Sequence, residues 1–241
     1  MKDNNKLEIV KGVEMSIKHS LEHTTAKDHV VNVIKACLSA IPVIGGPISS
    51  LVGDYIPKKK EERLLNFIKE LAIKLEEYKQ EVNVEYVRTE DFAYLFEECI
   101  KGVLSNYQAQ KLFCLKGIII NSLRRDIKKE QKEYYLHLVN SLTDLHLRIL
   151  AISNNPESYF ENYNLNASSV QGMAFGKVLE SALYGTESEM IRSAYGDLFQ
   201  MGLLNTDKSI FGTLTAGSGF DIVKGRVTNL GKSFIDFCTN Y

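Results

Sequence analysis

The feature that most constrains the fold is an apolar run of 18 uncharged residues, Ala36–Gly53, which four chain breakers interrupt. A bilayer-spanning helix needs roughly 17–25 mostly apolar residues, so the run reaches the lower end of that range. Pro42, the pair Gly45–Gly46 and Pro47 would, however, leave backbone groups of such a span poorly paired in lipid. We therefore predict a helical hairpin over residues 30–57 that is buried in a helical bundle.

The same hairpin supports an alternative in which the chain is membrane-active. Three lysines follow the apolar run and suit an anionic lipid surface. In this alternative the segment 36–55 binds lipid when it is released from the bundle, and the protein associates peripherally with a membrane. The residues that would contact lipid or a partner are Leu38, Ile41, Val43, Ile44, Ile48, Leu51, Lys58, Lys59 and Lys60.

Apolar residues recur at helical spacing along most of residues 1–153, which predicts a multi-helix bundle. Thr89, followed by two acidic residues, is typical of a helix start. The short alternating run Val82–Val87 is interpreted as an extended linker. Beyond the hairpin, the pattern predicts helices over about 58–81, 90–105, 107–128 and 130–153. The predicted fold class is mostly α.

The sequence pattern of the last third of the chain differs from that of the rest, and the change follows an Asn-rich segment, 154–167. This segment has no helical period and is interpreted as a domain linker. Its aromatic residues are expected to pack on a neighbouring part of the chain. Beyond it the sequence predicts a helix over 168–184. A second helix follows, for which Thr186 and a glutamate three residues later form a capping-box pattern. Two β-like runs around a Gly/Ser turn and a final capped helix complete the order. This order, together with Gly202–Leu204 and Thr228–Phe234, resembles a winged helix, and the resemblance implies an α subdomain with a small β-ribbon.

A winged helix implies DNA binding through its second helix, which enters the major groove. Here that helix carries Glu187, Glu189 and Asp197 against Arg192. Because phosphate neutralisation dominates DNA affinity, these acids oppose binding. We therefore favour protein contact for the subdomain over 168–241, and a DNA-binding regulator is the alternative. The residues that would contact nucleic acid are Arg192, Lys224 and Arg226.

One motif points to metal chemistry: the sequence from His19 to His23 matches the H-x-x-E-H pattern of inverzincin metalloproteases. A catalytic zinc needs a third protein ligand, which no downstream helix obviously supplies. We interpret the motif as a solvated helix face, with His19 and His23 as weak candidate ligands. The sequence contains no nucleophile elbow, P-loop or dinucleotide-binding fingerprint. We therefore predict no enzymatic activity and no cofactor.

Charge and cysteine content agree with a globular protein of the reducing cytosol. The chain has 29 Lys and Arg against 30 Asp and Glu, which offers no overall attraction to nucleic acid or anionic lipid. The four cysteines are scattered among apolar residues, and the polar first 15 residues carry no secretory signal, so we expect buried free thiols and a cytoplasmic location. The charge runs Lys58–Arg63 and Arg124–Glu133 are interpreted as solvated surface, with a patch for an acidic partner or a membrane as the alternative.

These observations predict a non-enzymatic interaction or adaptor protein that acts through helical surfaces on a protein partner or on a second copy of itself. The combination of a Gly/Pro hairpin, a long helical bundle and a winged-helix tail is similar to uncharacterised bacterial proteins, some of which are encoded near phage-defence genes. This resemblance implies a bacterial defence or stress context. Membrane activity and DNA binding are the two alternatives.

Overall fold

The structure is a computed structural model that describes residues 55–78, 80–213 and 219–241, without the side chains of residues 55–58 and 61. These residues are mostly helical, as predicted. Contacts divide the chain into two compact units, Met1–Asn140 with Tyr241, and Ser141–Asn240. The described helices are α1 (Tyr55–Glu77), α2 (Val84–Val87), α3 (Glu90–Ser105), α4 (Ala109–Arg124), α5 (Lys129–Ser141), α6 (Asp144–Asn154), α7 (Pro156–Asn162), α8 (Phe175–Ala182), α9 (Ser188–Gln200) and α10 (Asn229–Thr239).

The first unit is built around α4, which is buried over most of its circumference. A helix that is apolar on nearly every side belongs in a core, and α1 and α3 pack on α4 and on each other. Thr89 starts α3 as predicted, because its Oγ1 accepts a hydrogen bond from the backbone N–H of Phe92 at 3.2 Å. The face of α1 that carries Phe67, Ile68 and Leu71 is buried, and each such side chain contributes roughly 1.5–3 kcal/mol of burial free energy.

One linker prediction and one helix prediction in the middle of the chain are wrong, and side-chain capping explains both. The run Val82–Val87 contains α2, because Asn83 Oδ1 accepts from the N–H of Tyr86 at 3.1 Å and starts a helical turn. The single helix predicted over 130–153 is two helices, α5 and α6. Between them Thr143 has extended backbone and forms a capping box: its N–H donates to His146 Nδ1 at 3.1 Å while its Oγ1 accepts from the His146 N–H.

The second unit contains the segment 154–167, in which the sequence showed no helical period, and the structure has α7 there. Asn155 Oδ1 accepts from the N–H of Ser158 at 3.0 Å, and Pro156 occupies the first helical position, where its missing N–H costs nothing. Tyr159 and Phe160 are buried, which confirms that the aromatic residues of this segment pack against their surroundings.

The helix starts that follow also differ from prediction. The helix expected over 168–184 is shorter, since a 3-10 turn at Ala167–Val170 and Gly172, with a φ of +75°, precede α8. The N-cap of α9 is Glu187 and not Thr186, and no side chain caps it. Thr228 caps α10 as predicted, with its Oγ1 accepting from the N–H of Gly231 at 3.0 Å.

The predicted β-ribbon is not present among the described residues. The two β-like runs form 3-10 turns at Lys208–Gly212 and Gly219–Ile222, and the strand pairing is reduced to one antiparallel bridge between Leu204 and Val227; residues 214–218 lie outside the described set. The reason is local packing. Asp207 starts the first turn by accepting from the Ser209 N–H at 2.6 Å, and the Phe211 ring then stands edge-on to other core rings.

The cysteine prediction is confirmed where the structure describes it: Cys99, Cys114 and Cys238 are buried and free, and Cys37 lies outside the described residues. None of the described helices combines the length and the apolar character needed to cross a bilayer.

Candidate functional site

Many of the predicted contact residues lie outside the part of the chain that the structure describes. These are His19 and His23, the hairpin residues Leu38, Ile41, Val43, Ile44, Ile48 and Leu51, and the side chain of Lys58. Lys59 and Lys60 lie near the start of α1, where Lys59 Nζ pairs with Glu62 at 2.9 Å. Elsewhere, within the described residues, no group of three or more His, Cys, Asp or Glu side chains could hold a metal ion. The metal and hairpin hypotheses therefore stay predictions.

The three basic residues predicted to contact nucleic acid each have an intramolecular partner in the second unit. The Arg192 guanidinium lies 5.5 Å from the centre of the Phe211 ring. Lys224 forms an ion pair with Glu157. Arg226 donates to Thr206 Oγ1 at 3.2 Å and to the carbonyl of Ile222 at 3.3 Å. DNA phosphates would have to compete with these three separate contacts.

Five exposed residues on α9 or just before it, which we call the α9 surface, are Tyr184, Glu187, Glu189, Met190 and Asp197. Of these, Asp197 also contacts His146, with 3.3 Å between Oδ2 and Nε2. Tyr184 is 93% exposed and Met190 is 55% exposed. Gly185 turns the chain between α8 and α9 with a φ of +83°, a conformation that favours glycine. Met190 lies outside the buried row of α9, which is Ile191, Ala194, Tyr195 and Leu198.

A polar cavity of about 350 Å³ lies in the first unit, and we call it the polar pocket. It forms where α4 ends and α5 begins, with α2 and the start of α3 beside it. Its lining contains four cationic side chains and two carboxylates, a net charge of +2. The lining residues are Asn83, Tyr86, Asp91, Ser122, Leu123, Arg124, Arg125, Asp126, Ile127, Lys129 and Lys132.

Lys132 is the most deeply placed cation of the polar pocket, with only 6% of its surface exposed. Its Nζ donates to the carbonyl of Ser122 at 3.2 Å and lies 3.9 Å from the centre of the Tyr86 ring. Burial lowers the pKa of Lys132, and the nearby Asp126 and Asp91 carboxylates oppose that shift in part. The ammonium is therefore held at the cavity wall by a carbonyl and an aromatic ring, both of which attract a cation.

Two other cations of the polar pocket are neutralised by carboxylates. Arg124 donates from Nε and Nη2 to Glu81 Oε2 at 2.8 and 2.5 Å, and it stacks on the Tyr78 ring at 3.6 Å. Lys129 Nζ pairs with Asp91 Oδ1 at 2.6 Å. Arg124 is thus neutralised by a carboxylate outside the lining, and Lys129 by a carboxylate within it.

The lining residue Ser122 carries a hydroxyl oxygen that solvent does not reach. Ser122 is 2% exposed, and its Oγ has no hydrogen-bond partner in the structure. Leaving a buried hydroxyl unpaired costs about 1–3 kcal/mol, so such a group calls for a physical explanation.

The run Arg124–Glu133 was predicted to be solvated surface, but Lys132 within it is buried. A signal for it was present, because Lys132 falls on the buried stripe of α5 that also carries Tyr135, Leu136 and Val139. No protein-family model, curated protein or solved structure matches the chain. The function is therefore argued from these geometries.

Proposed function

We propose that the chain is a non-enzymatic interaction protein whose second unit contacts a protein partner through the α9 surface. The observation that carries the proposal is the exposure of two large side chains, Tyr184 at 93% and Met190 at 55%. Tyrosine and methionine are enriched in protein interfaces, and tyrosine is frequent among the residues that dominate binding energy. An aromatic side chain held out by a glycine turn is available to fill an apolar pocket of a partner.

The charge of the α9 surface specifies the kind of partner. Glu187, Glu189 and Asp197 of this surface are exposed acids, against one exposed cation, Arg192, and Asp197 also contacts His146. The partner surface should therefore be basic around an apolar pocket, because complementary charge speeds association and excludes wrong partners. The same acids disfavour a DNA backbone, which makes protein the occupant we propose.

A winged-helix arrangement of the second unit is part of this proposal. Its support is the order α8, α9, α10 and the antiparallel pairing between the chain after α9 and the chain before α10. The Asn205 N–H donates to the Arg226 carbonyl at 2.8 Å, and the Thr228 N–H donates to the Leu203 carbonyl at 3.0 Å. In this arrangement α9 takes the place of the recognition helix and presents acids where a DNA reader presents cations.

Site-specific photo-crosslinking tests the proposal. A photo-reactive amino acid replaces Tyr184 in one variant and Tyr107, a 75% exposed tyrosine of the first unit, in a control variant. We expect a specific adduct from position 184 only. The identified partner is then purified, and Tyr184→Ala should weaken its binding at least about tenfold, as expected for an interface anchor, while Tyr107→Ala should leave it unchanged.

Charge reversal completes the test. Glu189→Lys should weaken the complex and reduce its sensitivity to salt, because the attraction between acidic and basic surfaces is screened by ions. Equal crosslinking from both positions, or an affinity unchanged by Tyr184→Ala, would refute the assignment of the α9 surface. An adduct of twice the chain mass would show that the partner is a second copy of this chain and not a different protein. A DNA mobility shift that Arg192→Ala abolishes would favour the regulator instead.

A further inference from the structure

We infer that His146 is a pH-sensitive contact of the second unit, which caps the start of α6 when its ring is neutral and holds Asp197 of α9 as an ion pair when its ring is protonated. All the residues of this contact belong to the second unit, and the inference does not depend on the proposed protein partner. The His146 side chain is 11% exposed, so it is largely enclosed and still reached by water. Histidine is also the side chain whose charge changes nearest to neutral pH.

The backbone at the start of α6 fixes the tautomer of the neutral ring. The Thr143 N–H donates to His146 Nδ1 at 3.1 Å, and Thr143 Oγ1 lies 2.6 Å from the same nitrogen. A ring nitrogen that accepts a backbone N–H carries no proton, so the proton of the neutral ring is on Nε2. That nitrogen lies 3.3 Å from Asp197 Oδ2 and can donate to it. The neutral ring therefore accepts at the start of α6 and donates to α9.

Protonation acts in opposite directions at the two nitrogens of the ring. A proton on Nδ1 faces the Thr143 N–H, and because two donors form no hydrogen bond, the capping box loses one of its two bonds. The Thr143 hydroxyl can rotate and accept from the protonated Nδ1, which keeps the ring in its place. At Nε2, the positive charge of the ring turns the contact with Asp197 into an ion pair.

The charged groups around α6 show which residue faces the ring. This helix packs against α7, α8, α9 and α10. Within the described residues, Asp197 is the charged group in contact with the His146 ring. The other charged or titratable side chains of these five helices are Asp144, Arg148, Glu157, Tyr159, Glu161, Lys177, Glu180, Glu189, Arg192, Tyr195, Lys232, Asp236 and Cys238. One carboxylate therefore determines how the surroundings respond to the charge of the ring.

The two changes oppose each other, so the response should be local. The Asp197 side chain is 56% exposed, and an ion pair with such a carboxylate contributes little because solvent screens it. The gain at Asp197 therefore offsets only part of the lost cap. We expect the main effect of protonation in the hydrogen bonding of the first turn of α6, with little change in the stability of the whole unit.

Nuclear magnetic resonance of the isotope-labelled full chain tests the inference. The nitrogen shifts of the imidazole report which ring nitrogen carries a proton, and the exchange rate of the Thr143 amide reports its hydrogen bond. At about pH 8 we expect a proton on Nε2 alone and a protected Thr143 amide. At about pH 5 we expect both nitrogens to be protonated. The protection of this amide, corrected for the intrinsic pH dependence of exchange, should then fall at least about threefold, as expected for the loss of a cap.

The matched control is His146→Gln, because glutamine at this position of a capping box accepts the same backbone N–H and does not titrate. In this variant the Thr143 amide should be equally protected at both pH values. His137→Gln removes an exposed histidine of the first unit and should leave the response of wild type intact. Asp197→Asn removes the facing carboxylate, so the protonation of the ring and the loss of protection should both move to lower pH.

Three results would overturn the inference. The first is a neutral ring whose proton is on Nδ1. The second is a Thr143 amide of wild type that is equally protected at both pH values. The third is an equal loss of protection in His146→Gln and in wild type, because the loss would then come from another titrating group. An unchanged pH response in Asp197→Asn would refute the contact between the ring and α9.

Discussion

Among the described glycines, Gly231 lies closest to backbone atoms of another segment. We therefore predict that Gly231→Ala destabilises the second unit. A Cβ on Gly231 would lie 2.5 Å from the carbonyl oxygen of Leu203 and 2.7 Å from Val227 Cγ1, distances that real Cβ atoms essentially never show. The Leu203 oxygen is backbone, so it cannot move aside as the end of a flexible side chain would. It also accepts the hydrogen bond from the Thr228 N–H at 3.0 Å. The substitution must therefore push the start of α10 away from the chain that follows α9.

The size of the effect follows from three contributions. Overpacking against a rigid neighbour costs about 1–3 kcal/mol. Losing or stretching the hydrogen bond between Thr228 and Leu203 adds about 1 kcal/mol. Alanine returns up to about 1 kcal/mol through its higher helix propensity, and less in a first turn. The free energy of unfolding should therefore fall by about 2 kcal/mol, a large fraction of the roughly 5–15 kcal/mol that a typical domain has.

The control for this prediction is Gly212→Ala, because a Cβ on Gly212 would meet no heavy atom within 4 Å. Urea unfolding followed by circular dichroism should show a midpoint lowered by about 1 M for Gly231→Ala and nearly unchanged for the control. Hydrogen exchange resolved by peptide should show faster exchange confined to residues 141–240. If both variants unfold at the same urea concentration, the close approach of α10 to Leu203 is refuted.

Three further predictions test single groups. Tyr195 Oη is buried without a hydrogen-bond partner, so Tyr195→Phe should raise the free energy of unfolding by about 1 kcal/mol in urea melts, and a loss of stability would contradict the geometry. Hydrogen bonds from Lys177 at 2.5 Å and Ser188 at 2.8 Å lower the pKa of the Glu180 carboxyl. Because this pKa is lower in the folded state, Glu180 contributes to the free energy of unfolding above the unfolded value of 4.5, and the contribution is lost as the pH falls below it. Glu180→Gln should therefore reduce the difference in stability between about pH 7 and about pH 4. Identical pH profiles of stability for the two proteins would refute the linkage. Burial raises the pKa of the Cys99 thiol far above its usual range, so Cys99 should react with a thiol reagent only after unfolding, and fast native labelling would contradict its burial.

Helix starts were predicted correctly from the sequence where a single threonine caps the helix. Thr89 and Thr228 lie before clear changes of periodicity, and both cap helices as predicted. Thr143 lies inside a continuous apolar pattern, and its capping partner is His146, where a capping-box search expects Glu or Gln. The sequence therefore did not indicate the break between α5 and α6, because the capping partner is a histidine and because apolar residues continue on both sides.

The β-ribbon prediction depended on residues whose strand preference is set by their surroundings. Ile210 and Phe211 favour strands when they cover one face of a sheet. In the second unit Ile210 is buried, and Phe211 packs edge-on against Phe175 and Tyr195. A 3-10 turn begun by Asp207 presents both side chains inward within a few residues. The packing of ring against ring therefore decides the local conformation, and no window of the sequence contains all three rings.

The polar pocket shows why a charge run is hard to interpret from sequence. The run Arg124–Glu133 contains both basic and acidic residues, and its net charge does not reveal that one lysine in it is buried. The register of α5 places Lys132 on the buried stripe, and its Nζ donates a hydrogen bond to the Ser122 carbonyl, a backbone group that any residue could supply. Lys111 is stabilised in the same way by the Asn140 carbonyl, so carbonyl contact at the end of a helix accounts for the burial of both lysines. The two lysines differ in that Lys132 also lines the polar pocket, whereas Lys111 does not.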